Sequence, residues 1–274
     1  KHEVLKDISF NIEKPEIVAL VGPNGSGKST LLNIIANLLT EDSGTVEILG
    51  KSNKDVSVFQ KFSYMIDNTV LYDYLTGLDH LKFVSETHKL PKTAIEEYAG
   101  LIGIKHFLNR KVKDYSLGMK QQLLFTMSLM NDPDIVILDE PFNGLDPTTI
   151  IKVREILVNH HKRGKSVILS SHNLAEVDQM TSHILFLKDG RLIEEDISKY
   201  QESVYHIKVE DIEVVKKSID EFNFKTIDNE IIVSTKDADL NDIIHRITNI
   251  SEIISINQEL KGSEDTYKEI FNIN

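Results

Sequence analysis

The sequence predicts an α/β domain on a largely parallel sheet, interrupted by a helical insertion and followed by a small α+β domain of βαββαβ order. Three observations carry this reading. Short apolar runs bounded by Gly or Pro turns alternate with segments of helical period, the pattern of buried parallel strands. One Gly-rich loop joins such a run to a helix. Composition shifts near Tyr200: all six prolines lie at or before Pro147, and residues 201–274 carry 8 Lys+Arg against 16 Asp+Glu, −8 of the chain's −12. With 274 residues, 41% of them hydrophobic and 27% charged, the chain can bury a core.

Taken in order, Val4, Leu5, Ile8, Phe10 and Ile12 predict a first strand, and Ile17 to Val21 a second, fully apolar one. Gly22 to Gly27 follow as a loop, then a helix over Ser29 to Leu39 with Leu31, Leu32, Ile35, Ala36 and Leu39 on its apolar face. The stretch 68–130 is helical in pattern and reads as an insertion between sheet elements. Asp134–Leu138 and Ser166–Leu169 are further apolar strands. Past Ser203, Tyr205, Ile207 and Val209 alternate as in a half-buried strand, and Ile212, Val215, Ile219 and Phe222 share a helical face. Phe224–Ile227 and Glu230–Ser234 read as strands joined at Asp228-Asn229, Leu240, Ile243, Ile244 and Ile247 as a second stripe, and Glu252–Ile256 as a last strand. That order is ferredoxin-like. The expected domains are 1–200 and 201–274.

Composition excludes several classes. A net charge of −12 argues against nucleic acid or anionic lipid as partners of the whole protein. The absence of cysteine rules out disulfides and thiol nucleophiles and fits a reducing compartment. No apolar run approaches the ~18 residues of a membrane span. The chain begins at Lys1, without Met or signal peptide, and reads as a fragment.

The loop Gly22-Pro23-Asn24-Gly25-Ser26-Gly27-Lys28-Ser29-Thr30 contains G-x-x-x-x-G-K-[ST], placed after an apolar strand and opening a helix. Glycines let successive N–H groups of Asn24 to Thr30 curl around phosphate oxygens, and the helix N-terminus adds partial positive charge. Lys28 can reach the β- and γ-phosphates, and Ser29 can hold Mg²⁺. Farther on, Ile135 to Leu138 end in Asp139-Glu140. An apolar strand delivering carboxylates at its C-terminal edge is where open α/β sheets bind ligands. Asp139 would organise Mg²⁺ and Glu140 would polarise the attacking water.

With these residues in hand, the chain resembles the ATP-binding cassette (ABC) ATPases over residues 1 to about 200. Four further segments occur in the family's order. Tyr115-Ser116-Leu117-Gly118-Met119 resembles the signature LSGGQ, Asn143-Gly144-Leu145-Asp146 the D-loop, Ser170-Ser171-His172 the switch-histidine segment, and Asp67 stands at the Q-loop glutamine. The resemblance implies a P-loop cassette with a helical insertion subdomain, binding ATP and Mg²⁺. Ser116 and Gly118 would face the γ-phosphate of ATP on a second cassette, with Asp146 beside them. His172 would donate to the γ-phosphate, and Asp67 would join Ser29 and Asp139 at the metal. Three departures stand out: Leu117 and Met119 replace Gly and Gln in the signature, Asp67 replaces the Q-loop Gln, and the adenine-stacking aromatic expected just before Val4–Ile8 is missing, Lys1 and His2 being poor substitutes.

The expected function is that of an ABC transporter's ATPase subunit at the cytosolic face of a membrane. It would pair with a second cassette and drive separate transmembrane permease subunits. The signature variant, the acid at position 67 and the C-terminal extension resemble the branch that exports bacitracin, lantibiotics, peptide toxins and drugs. Two alternatives are weaker. Soluble ABC-type ATPases acting on nucleic acid or ribosomes usually carry two cassettes, a long coiled coil or a basic face. A weakly hydrolysing regulatory module would not need Lys28, Asp139, Glu140 and His172 together.

Overall fold

The computed structural model describes residues 3–200, 203–227, 230–234, 240–260 and 263–273. The chain divides into two compact units, Lys1–Glu195 and Asp196–Asn274. In the first, β1 (Ile17–Val21) leads into α1 (Lys28–Ile35). A short hairpin of β2 (Glu47–Ile48) and β3 (Lys51–Ser52) and then β4 (Phe62–Met65) follow. Next come three helices, α2 (Gly77–Thr87), α3 (Ala94–Ile102) and α4 (Leu117–Leu129). The chain returns to the sheet with β5 (Ile135–Leu138), α5 (Pro147–Lys162), β6 (Ser166–Ser171), α6 (Leu174–Asp178), β7 (His183–Lys188) and β8 (Arg191–Asp196).

The main sheet has the order β4-β5-β6-β1-β7-β8, and the four pairings from β4 to β7 are parallel. Its strands alternate strictly between two cores. Val18, Leu20, Phe62, Ile137, Ile168 and Leu185 face α1, against Leu31, Leu32 and Ile35. Ile17, Met65, Val136, Leu138, Val167 and Leu169 face the helical side, against Leu123, Phe125 and Leu157. A sheet covered on both faces needs apolar residues at every position, which is why β1 is IVALV with no residue more than 4% exposed.

Two expected elements differ. Residues 4–12 form no strand. Asp7 adopts φ +50°, which breaks an extended run, and one backbone bond, Lys6 N–H to Gly190 C=O at 2.7 Å, anchors the segment. Leu5, Ile8, Phe10 and Ile12 still pack half-buried on the α1-side core, so their alternation reflects burial without a ladder. Helix α1 also ends a turn before Leu39. Asn37 turns left-handed at φ +56°, its N–H bonds to Ile34 C=O (3.0 Å), and Leu38 N–H bonds to Asn33 C=O (2.8 Å), a Schellman stop that leaves Leu38 and Leu39 exposed.

The second unit runs β9 (Ser203–Val209), α7 (Ile212–Ser218), β10 (Phe224–Ile227), β11 (Glu230–Ser234), α8 (Leu240–Thr248), β12 (Ile253–Leu260) and α9 (Ser263–Phe271). The Asp228-Asn229 turn lies outside the described residues. The sheet is antiparallel in the order β10-β11-β9-β12. Ile207 opposite Ile231, with Val209 and Val233, packs against Val215, Ile219, Ile243 and Ile247. Helix α9 continues beyond the βαββαβ order.

Candidate functional site

The loop after β1 is shaped by steric necessity. A Cβ on Gly22 would lie 2.7 Å from the Leu187 carbonyl oxygen and 2.8 Å from Ser26 Oγ, so only glycine fits. Gly25 and Gly27 take φ +79° and +105°, and Gly27 is the N-cap of α1. Lys28 is 7% exposed and donates to the carbonyls of Gly22 (2.8 Å) and Pro23 (3.3 Å). Its Nζ lies 4.0 Å from Glu140 Oε1. Asn24 and Ser29 are exposed and Thr30 is half-buried in the first turn of α1.

Strand β5 delivers Asp139 and Glu140 beside this lysine. The Ser170 hydroxyl, fully buried on β6, donates to Asp139 Oδ1 at 2.6 Å and accepts the Glu140 N–H at 2.8 Å. Gln121 Nε2 on α4 donates to the Glu140 carbonyl at 2.8 Å. Glu140 is held at φ +49°, a left-handed conformation that a non-glycine residue adopts at a cost of about 1–3 kcal/mol. Its Oε2 lies 2.8 Å from His172 Nδ1. An ionised carboxylate only accepts, so the ring donates from Nδ1.

Asp67 lies two residues past the end of β4, whose Met65 pairs with Leu138 in the neighbouring parallel strand. Its Oδ1 accepts the Thr69 N–H (2.9 Å) and hydroxyl, capping the 3-10 turn Asn68–Val70. The buried hydroxyl of Tyr64 has no hydrogen-bond partner, and its acidity is strongly suppressed, first by burial and then by the charges of Asp139 and Asp67.

The signature segment forms a second surface. Ser116 caps α4, accepting Met119 N–H at 3.2 Å. A Cβ on Gly118 would lie 2.6 Å from the Gly144 carbonyl oxygen. Asp146 caps α5 through the Thr149 N–H (3.1 Å) and hydroxyl (2.6 Å), bonds that hold its carboxyl below the usual range. Ser116, Gly118, Met119, Asp146 and His106 line a cavity of about 340 Å³, which no residue of the 22–30 loop lines. The chain thus gathers Lys28, Asp139, Glu140 and His172 at one site and Ser116, Gly118 and Asp146 at another.

The donor set fits phosphate and a hard cation. Ser26 Oγ in the loop and the Tyr64 hydroxyl are buried without partners, and buried hydroxyls are ordinarily bonded. Ser29, Asp139 and Asp67 supply only oxygen, which suits Mg²⁺ completed by phosphate and water. No group of three or more His, Cys, Asp or Glu forms a metal cage among the described residues. Ser170, marked beforehand only as part of the switch-histidine segment, and Gln121, which no local pattern singles out, belong to the site through their hydrogen bonds to Asp139 and Glu140.

The sequence profile of a family described as ABC transporter matches residues 5–143. The lantibiotic transport ATP-binding protein SrtF of Streptococcus pyogenes is 36% identical over 195 residues, 70% of this chain and 84% of the relative. The uncharacterized ABC transporter ATP-binding protein YcbN of Bacillus subtilis is 32% identical over 99% of this chain and 93% of its own length. A solved ATP-binding subunit of an ABC transporter superposes with a TM-score of 0.66 at 25% identity, covering 89% of this chain and 93% of that one. The dimeric post-hydrolysis cassette MJ0796, bound to ADP and Pi, gives a TM-score of 0.65 at 27% identity over 71% and 90%.

Proposed function

This chain belongs to the ABC transporter family of ATP-binding, ATP-hydrolysing subunits, and on that premise we propose that it powers export of peptides, toxins or drugs through separate transmembrane subunits. Its named lantibiotic-transport relative supports the export reading. Two cassettes, alike or different, would close on ATP head to tail, with the 22–30 loop of one facing Ser116 and Gly118 of the other. The split of the site residues into two surfaces supports this, since no residue of the 22–30 loop lines the cavity at Ser116 and Gly118. As the ATP-binding subunit of such a transporter the chain would sit peripherally at the cytoplasmic face of the membrane; among the described residues no helix is long and apolar enough to cross one.

One observation carries the hydrolytic assignment: Glu140 sits 2.8 Å from His172 and 4.0 Å from Lys28. In this reading Glu140 takes the proton of the attacking water. His172 holds the carboxylate in place through Nδ1–H. Its Nε2 can donate to the γ-phosphate only as the imidazolium, since Nδ1 already carries a hydrogen. Lys28 exchanges its carbonyl partners for phosphate oxygens, and the N–H groups of Asn24 to Thr30 complete the cradle. Ser29, Asp139 and Asp67 would hold Mg²⁺, which would supply charge neutralisation on the phosphates.

Glu140→Gln tests the assignment. A positioned general base contributes about 10²–10⁴ in rate, so turnover should fall by that factor while ATP affinity stays. ATP should then trap a dimer on sizing chromatography, by linkage. Undiminished turnover, with a monomer in the presence and absence of Mg-ATP, would remove Glu140 from the role.

A further inference from the structure

Helix α4 is fastened to the segment 140–149, the loop after β5 and the first turn of α5, at three points, taken in order along it. Gln121 Nε2 bonds the Glu140 carbonyl at 2.8 Å. Gly118 lies so close to the Gly144 carbonyl that a Cβ would approach it to 2.6 Å. Gln122 Nε2 bonds Thr149 Oγ1 at 3.3 Å, and that hydroxyl donates to Asp146 at 2.6 Å. The loop that begins with the hydrolytic carboxylate and ends with the cap of α5 therefore lies along the helix whose N-terminus is Ser116.

Glu140 is where this contact bears on chemistry. It lies just past β5, in a left-handed conformation that no regular ladder enforces. Side chains from two other elements hold its peptide groups: Ser170 on β6 takes the N–H, and Gln121 on α4 gives a hydrogen to the carbonyl. Asn143 N–H reaches the same carbonyl at 3.2 Å but belongs to the loop itself and moves with it. Gln121 is 6% exposed, and a buried amide that loses its acceptor is left unsatisfied. Its reach therefore sets where the Glu140 peptide sits relative to β6.

We propose that Gln121 is a positioning residue through which helix α4 sets the orientation of Glu140, so that a nucleotide engaging Ser116 and Gly118 is read at the hydrolytic centre of the same chain. The proposal rests on the cassette pairing and general-base role proposed above. In a head-to-tail pair it links the two nucleotide sites within each chain and makes their turnover cooperative.

Gln121→Met keeps length and burial and removes the donor; Gln121→Asn keeps the amide and loses the reach. Both should lower kcat by about 10–100-fold, since a misplacement of about 1 Å can cost that much, with KM for ATP within about twofold. The Hill coefficient for ATP should fall to about one. Hydrogen exchange over residues 139–145 should quicken about tenfold or more, with β1 and β6 unchanged. Wild-type kcat and cooperativity in both variants, or unaltered protection over 139–145, would overturn the proposal. The exchange readout needs no turnover. It therefore judges the Gln121 contact even if Glu140→Gln retains full activity, the result that would remove the parent reading.

Discussion

His160 should make the cassette unit acid-sensitive by an amount the structure sets. The ring is 2% exposed near the end of α5. Burial, then the charges of Lys165 and Arg163, push its pKa from 6.5 down to about 4, against a smaller opposing pull from Asp132. Arg163 has no acceptor, so its 2.9 Å contact with Nδ1 requires the lone pair of a neutral ring. The folded pKa lies below the unfolded one, so the unfolded chain binds the extra proton. Stability is thus full above pH 6.5 and is lost as pH falls toward 4. Integrating between these values gives a loss of about 2 kcal/mol at pH 5 and about 3 kcal/mol at pH 4. Urea unfolding of wild type and His160→Gln at pH 7.5, 5 and 4, followed by tyrosine fluorescence, isolates this share because the other acids titrate in both proteins. The variant starts less stable and the gap narrows by about those amounts as pH drops. Parallel pH profiles would mean that His160 is not held neutral.

Gly118→Ala places a methyl 2.6 Å from a backbone oxygen. The overpacking cost of about 1–3 kcal/mol exceeds the ~1 kcal/mol of helix propensity that alanine gains, so Tm should fall, and an unchanged or raised Tm contradicts the contact. Asp67→Gln should lower the Mg²⁺ needed for half-maximal ATPase activity, because the longer amide would reach the metal without a bridging water. Superimposable Mg²⁺ titrations would leave Asp67 only its cap on Thr69. A folded fragment of residues 1–195 should bind ATP as tightly as the full chain, as every nucleotide motif lies before Leu174. Weaker binding, measured by calorimetry, would tie the second unit to the site.

What the sequence made legible follows from how local each signal is. β1, β5 and β6 are doubly buried, so each reads as a bare apolar run, and the loop after β1 has a motif whose spacing is dictated by backbone geometry at Gly22 and Gly27. The Val4–Ile12 alternation misleads because burial on one side gives the period of a strand whether or not a ladder forms. The hairpin of β7 and β8, turning at Asp189-Gly190, is not among the expected strands although its HILFLK run carries the same local signal. Ser170 and Gln121 are a different case. Each meets Glu140 from a distant point in the chain, and a serine in a strand or a glutamine in a helix carries no mark of its partner.

The seat of β1 has a consequence for biosynthesis. Although it is made early, β1 lies between β6 and β7: Ile17 waits for Val167, and Ala19 for Ile184. At 5–20 residues per second a ribosome needs roughly 8–33 s to deliver those partners. Until then a fully apolar IVALV segment has neither neighbour, a state that invites chaperones or aggregation. A nascent chain cut short before β6 would possess the complete phosphate-loop sequence, with neither strand that pairs with β1 to present it.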